Sequence, residues 1–169
     1  MKTAVVTGGS RGIGRAIGLE LAAAGHRVVL TCRRDLARAQ AAAEEIRSSG
    51  GEAHAALADV TQPEAIKALA DRVGREFGGA DILVNNAGII KDALLPFMKE
   101  EDWDAVIEID LKGAFRMTKS LVRSMLHKSW GRIINIVSVS GISGHAGQTN
   151  YSAAKGGLIA FTKALALEM

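Results

Sequence analysis

Tyr151 and Lys155 stand four residues apart in Tyr-Ser-Ala-Ala-Lys, thirteen residues after Ser138. On a helix, positions i and i+4 share a face, so the phenol and the ammonium can enter one pocket. A free phenol titrates near pH ~10 and is a poor acid-base group at neutral pH. A fixed cation beside it is expected to favour the phenolate and bring the phenol toward working pH. Two unit charges ~4 Å apart interact by about 4 kcal/mol at an effective dielectric of ~20, which bounds the effect. A hydroxyl from Ser138 could then hold a carbonyl oxygen against the phenol. This chemistry is proton transfer to or from an alcohol or carbonyl oxygen, and it needs a hydride carrier.

The N-terminus has the features of one. Residues 2–7 read as a short buried strand, Gly8-Gly-Ser-Arg-Gly-Ile-Gly14 follows, and 13–24 carries helical apolar spacing up to Gly25, the expected helix stop. Strand, glycine loop and helix in this order form the setting of a dinucleotide fingerprint. Glycines let the backbone approach a pyrophosphate, which rests on N–H groups at the helix N-terminus. The spacing is Gly-x-x-x-Gly-x-Gly, one form of nucleotide loop.

The elements that must position these residues alternate along the chain. Strands are predicted at 2–7, 27–32, 53–58, 81–85 and 131–138, and helices at 13–24, 35–48, 63–77, 103–127 and 151–168. The apolar runs Val28-Val-Leu30 and Ile82-Leu-Val84 suit a parallel sheet covered on both faces. Asp35 and Thr61 are expected helix starts, with Pro63 in a first turn. Right-handed crossovers build an α/β, Rossmann-type doubly wound sheet that binds ligands at the carboxyl ends of its strands. Gly8, Asp59, Asn86 and Ser138 all fall at such ends.

These residues resemble the short-chain dehydrogenase/reductases. The likeness lies in Thr7-Gly-Gly-Ser-Arg-Gly-Ile-Gly14, Asp59-Val60, Asn85-Asn-Ala-Gly88, Ser138 and Tyr151-x-x-x-Lys155, in family order and spacing across the whole chain. The chain is most similar to 3-oxoacyl-[acyl-carrier-protein] reductases through Gly88-Ile-Ile-Lys-Asp-Ala-Leu-Leu, Met98, Trp103 and Gly131-Arg-Ile-Ile-Asn-Ile. Acetoacetyl-CoA, polyketide and sugar reductases share these stretches.

The resemblance implies strand order 3-2-1-4-5 and a cofactor site of Gly8, Ser10, Arg11, Gly12, Ile13, Gly14, Arg33, Asp59, Val60, Asn86, Ala87, Gly88, Tyr151 and Lys155. Asp59 would meet the adenine, with Val60 beside it. Asn86, Ala87 and Gly88 would line the adenosine ribose side and brace the central strands. Lys155 would hold the nicotinamide ribose and lower the Tyr151 pKa, Tyr151 would donate the proton, and Ser138 would polarise the oxygen. At the end of the second strand, where NAD-binding relatives place an acid, stand Cys32, Arg33 and Arg34. Guanidinium groups can bind a 2′-phosphate that a carboxylate would repel, so NADP(H) is the expected cofactor, with Arg11 a further partner. Asp35 reads as a helix N-cap.

Two departures stand out. The family's fourth catalytic residue is an asparagine, and here that position is Asp110. Its backbone role would survive, giving a damaged but not abolished proton relay. The chain also ends at Met169, in the helix bearing Tyr151, where the resemblance implies two more strands, a loop on the nicotinamide carboxamide and a lid. A fragment lacking the last two strands is expected, with apolar sheet surface exposed.

The 169 residues make one domain, 1–169, with formal net charge +3 and no basic stripe for nucleic acid. The single cysteine, Cys32, excludes an internal disulfide. No apolar run of spanning length or signal peptide is evident, so a cytoplasmic location is expected. His26, His54, His127 and His145 lack metal-ligand spacing, and no metal is expected. Ser140, Ser143 and His145 read as loop residues and Ser152 as exposed helix. The resemblance implies a homo-oligomer through helices 103–127 and 151–168. Three functions stay open: an NADPH-dependent reductase of a 3-oxoacyl thioester or another small ketone, a nucleotide-binding module without turnover, and an interaction fragment.

Overall fold

The computed structural model describes all 169 residues. Five parallel strands form one sheet: β1 (Thr3–Val6), β2 (Arg27–Cys32), β3 (Glu52–Leu57), β4 (Ile82–Asn85) and β5 (Arg132–Asn135), in the order β3-β2-β1-β4-β5. The helices between them are α1 (Gly12–Ala23), α2 (Leu36–Ser48), α3 (Pro63–Phe77), α4 (Glu100–Val106), α5 (Gly113–His127), a short α6 (Ser140–Ser143) and α7 (Thr149–Glu168). This is the doubly wound order expected, with its switch point between β1 and β4.

Alternation along each strand divides the core in two. Val5, Val29 and Leu83 point to one face, where Ile66, Leu69 and Val73 of α3 meet Met117, Leu121 and Met125 of α5. Ala4, Val6, Val28, Leu30, Ile82 and Val84 point to the other, against Ala22 of α1 and Ala42, Ala43 and Ile46 of α2. Small residues on α1 and α2 let those helices lie close. At Gly18, an added Cβ would come 2.6 Å from Leu30. Caps end several helices as the residues foretell: the Asp35 carboxylate accepts the Arg38 N–H (2.9 Å), and Gly78 closes α3 at φ 72°.

The structure corrects five local expectations. The predicted helix 103–127 is three pieces, because Ile107–Lys112 between α4 and α5 winds as a π-helix. The fifth strand covers only Arg132–Asn135 and not 131–138; Ile136 keeps one ladder bond to Asn85 (2.9 Å), then the chain turns away. Thr61 does not cap α3; Gln62 holds that position, while Thr61 folds back through its N–H and hydroxyl onto Asp59 Oδ1 (2.9 and 2.8 Å). Ser140 and Ser143 lie on the helical turn α6, and the Ser152 hydroxyl is buried without a partner instead of exposed. His145 is a loop residue, as read, with Nδ1 2.9 Å from its neighbour's carbonyl.

Candidate active site

The carboxyl ends of β1, β2, β3 and β4 enclose a cavity of ≈ 560 Å³. Gly8, Ser10, Arg11, Gly12, Ile13 and Gly14 form one wall, and Asp59, Val60, Asn86, Ala87 and Gly88 the other. The loop is tight for reasons visible in its contacts. Gly8 turns at φ 64°, and a Cβ on Gly14 would come within 2.5 Å of both the Gly8 carbonyl oxygen and Asn86 Nδ2. Asn86 fastens the loop to β4 by donating from Nδ2 to the Thr7 and Gly8 carbonyls (2.8 and 3.3 Å), and the Thr7 hydroxyl accepts the N–H groups of Asn86 and Ala87 (2.9 Å each). No side chain caps α1. Its first-turn N–H groups therefore open toward the loop, the arrangement that receives a phosphate.

The far end of the cavity is basic. Arg11, Arg33, Arg34 and Arg38 line or border it, and Cys32 is buried at its floor. Arg11, Arg33 and Arg34 are exposed and take part in none of the ion pairs. Asp35 faces the same space, but its carboxylate is committed to the α2 cap. Asp59 Oδ1 is likewise held by Thr61, which leaves its other oxygen and the Asp59-Val60 backbone facing the cavity. A pyrophosphate nucleotide fits this donor set: close backbone approach at the glycines, free N–H groups at α1, and unpaired guanidinium groups beyond them.

The catalytic candidates do not line this cavity; they gather beyond Gly88, which borders it and abuts Asp110. Lys155, 4 % exposed, lies with Nζ 5.5 Å from the centre of the Tyr151 ring, so the i, i+4 geometry on α7 holds. Nζ donates to the Ile136 carbonyl (3.0 Å) and is 3.2 Å from Asp110 Oδ2. Asp110 is itself buried; Oδ1 accepts the Ile89 N–H (2.8 Å), while Oδ2 meets Lys155 as an ion pair without hydrogen-bond alignment. Gly88 joins the two ends of the site, since a Cβ there would lie 2.6 Å from Asp110 Oδ2. Ser138 accepts the Ser140 N–H on Oγ (3.2 Å), and its hydroxyl lies close enough to Tyr151 to favour the phenolate.

The electrostatics differ from the expectation that Lys155 lowers the Tyr151 pKa. Burial pushes the phenol above its ordinary value, the Asp110 carboxylate and then Asp92 add to the rise, and only the Ser138 hydrogen bond opposes it. Burial is the first cause, and Lys155, which could oppose it, already faces the Asp110 carboxylate. Asp110 in turn is raised by burial, with Lys155 and the Ile89 N–H pulling against the rise.

Two further residues hold the site together. Asn150, fully buried, receives the Tyr151 N–H on Oδ1 (2.7 Å) and donates to the carbonyls of Lys91 (2.9 Å) and Asp102 (3.4 Å). Gln148 accepts from the Ser140 hydroxyl (2.9 Å) and donates to Asp92 (3.3 Å). An asparagine immediately before the tyrosine, at a helix start, was a usable signal for Asn150. Gln148 had none.

The comparisons with known proteins agree with this geometry. The family model for short chain dehydrogenase matches residues 2–169. The chain is 48% identical to a 3-oxoacyl-[acyl-carrier-protein] reductase of Synechocystis, over 99% of this chain and 68% of that protein. It is 47% identical to the Escherichia coli K12 reductase of that name and 48% identical to the Vibrio cholerae one, covering 67% of each. It thus spans about two thirds of the length of these relatives. With the fold, the glycine loop and the Tyr-Lys helix in place, the chain belongs to the short-chain dehydrogenases, a family of oxidoreductases.

Proposed function

We propose that residues 1–169 form one dinucleotide-binding domain that uses NADPH to reduce a carbonyl, most specifically a 3-oxoacyl thioester carried by acyl-carrier protein or coenzyme A, to the 3-hydroxyacyl form. The observation that carries this reading is that two half-sites meet at Gly88: it lines the cradle rimmed by Arg11 and Arg33, and it abuts Asp110, which pairs with Lys155 beside the Tyr151 ring. The names of the similar proteins give the substrate class.

A bound dihydronicotinamide supplies the hydride. Gly8 through Gly14 would hold its pyrophosphate on the α1 N–H groups, Arg33 and Arg11 would take the 2′-phosphate, and Asp59, Val60, Asn86, Ala87 and Gly88 would border the adenosine. Lys155 would orient the nicotinamide ribose. Ser138 holds the substrate oxygen beside the Tyr151 hydroxyl. Tyr151 would give its phenol proton to the substrate oxygen and regain one from water. Asp110 supports the site through Ile89 and Lys155 without touching substrate. No helix is long and apolar enough to cross a membrane, and the free, buried Cys32 suits a reducing, cytoplasmic setting. The oligomer contact is assigned to α5 and α7.

The test is NADPH oxidation with acetoacetyl-CoA, run beside NADPH binding by fluorescence. Tyr151→Phe should lower turnover by ~10²–10⁴-fold and leave binding in place. Full turnover by that variant would remove Tyr151 from the chemistry, and better use of NADH than NADPH would overturn the cofactor choice. Binding without turnover by the native chain supports the second reading, a nucleotide-binding module. That reading is favoured by one observation: the cradle is complete within β1–β4, whereas Ser138 follows an edge strand.

A further inference from the structure

Asp110 does more than replace an asparagine. Its carboxylate is 1 % exposed, built into the π-helical segment, braced by the Ile89 N–H and pressed against Gly88, and its free oxygen is 3.2 Å from Lys155 Nζ. A neutral amide in that place would leave Lys155 as a lone buried cation next to the Tyr151 ring. A carboxylate makes the neighbour of the phenol a compensated pair. Charges in a buried site act over longer distances than in water, so this exchange reaches the phenol.

We propose that Asp110, by pairing with Lys155, withholds that cation's field from Tyr151 and keeps the tyrosine a proton donor up to a higher pH than a site with a lone lysine would allow. Asp110 is a positioning residue here, acting through Lys155. The groups that face the phenol are few. Lys155 comes from α7, Asp110 from the π-helix, Asp92 from the stretch after β4, and the Ser138 hydroxyl from beyond β5. Asp110 is faced by Lys155 and the Ile89 N–H. Asp102 is paired with Lys91 and adds no free charge. The consequence for catalysis rests on the proposed carbonyl reduction: the alkaline limb of its pH profile lies where Tyr151 loses its proton.

The chain contains a single tyrosine, so the ultraviolet absorbance change of phenolate formation reports Tyr151 alone. We expect the native midpoint above the ordinary phenol value of ~10. Asp110→Asn, which keeps the shape and the acceptor for Ile89, should lower the midpoint by about one unit or more. The alkaline limb of NADPH-dependent reduction should fall with it. A merely structural role would change rate or melting temperature and leave both titrations where they are. Equal midpoints in the two proteins would overturn the proposal. Should the variant fail to fold, a native midpoint below ~10 overturns the proposal by itself, because it contradicts a compensated lysine. The absorbance titration needs neither cofactor nor substrate. A shifted midpoint with no turnover in either protein would sink the reductase reading and leave the pairing standing. Normal turnover with an unmoved midpoint and limb would do the reverse.

Discussion

β4 and β5 are neighbouring strands of four residues in parallel register, Ile82 opposite Arg132 through Asn85 opposite Asn135, yet they live in different surroundings. Every residue of β4 is buried; none of β5 is, and Ile134 is 44% exposed. β4 leads into Asn86–Gly88 and the nucleotide cradle, β5 into Ser138 and the helix of Tyr151. The nucleotide half therefore rests on a core closed on both faces. The catalytic half stands on the last strand of the sheet, whose outer edge is unpaired, beside a 660 Å³ groove lined by Met125, Trp130, Ile133 and Leu165. Hydrophobic burial organises the first half. A few polar ties organise the second: Lys155 to the Ile136 carbonyl, Asn135 to Thr162, and Asn150 to Lys91.

The comparison breaks if the two strands contribute alike to stability. Leu83→Ala removes a side chain with no exposure from the centre of the sheet and should cost ~3–4 kcal/mol, cavity included. Ile134→Ala, on the open strand, should cost less than about 1 kcal/mol. Urea denaturation of both variants measures the contrast. Similar losses would mean that β5 is packed in solution as β4 is here.

How much of this was legible in the sequence follows the same division. The β1–β4 half was readable because continuous apolar strands, a glycine loop and caps such as Asp35 act locally. The order of the sheet followed from the family resemblance, and the alternation gave only a doubly wound sheet. The polar half was less readable. A π-helix over Ile107–Lys112 keeps almost the same apolar pattern as an α-helix. Its position is tied to contacts far along the chain: Asp110 with Ile89, Leu111 with Gly157, and Gly113 with Val60. Asp110 was legible only as the residue standing in place of an asparagine, and the sign of its effect on Tyr151 depended on a 3.2 Å contact with Lys155 that no spacing rule supplies. β5 ended early because a strand with one neighbour has only one ladder to hold it.

Asp81 sharpens the comparison, since it ties the two halves at the opposite end of the sheet. Its Oδ2 accepts the Thr3 N–H of β1 (2.7 Å), its Oδ1 meets Lys128 just past α5 (2.8 Å), and its carbonyl takes the Arg132 N–H of β5 (3.0 Å). Burial alone would raise this carboxyl, but the Lys128 and Thr3 hydrogen bonds overcome it and hold it below its usual value. A lowered native value gives stability that is whole above the unfolded carboxyl value of ~4 and fades as pH falls through the native value below it. Asp81→Asn should therefore cost ~1–2 kcal/mol at neutral pH, discounted because Lys128 is one-third exposed. The gap to the native chain should close in acid. Thermal melts of both proteins from neutral pH to below ~4 check it, and a gap that persists unchanged would show that the charge of Asp81 contributes nothing.

The smallest effect is expected where the polar ties are thinnest. Asn85 donates to both Thr118 on α5 (3.1 Å) and Asn135 on β5 (2.8 Å), and Asn135 donates to Thr162 on α7 (2.8 Å). This line of amides and hydroxyls crosses from the closed strand to the catalytic helix. Thr162→Val keeps the shape of the side chain and removes the acceptor, leaving the Asn135 amide one partner short at a half-buried site. The loss should be about 1 kcal/mol in overall stability. Its local signature should be larger than its global one: faster hydrogen exchange along α7 around Leu158 and Thr162, with exchange in β4 unchanged. Equal acceleration in β4 would mean that the two halves unfold as one unit and that the polar ties are no weaker than the core.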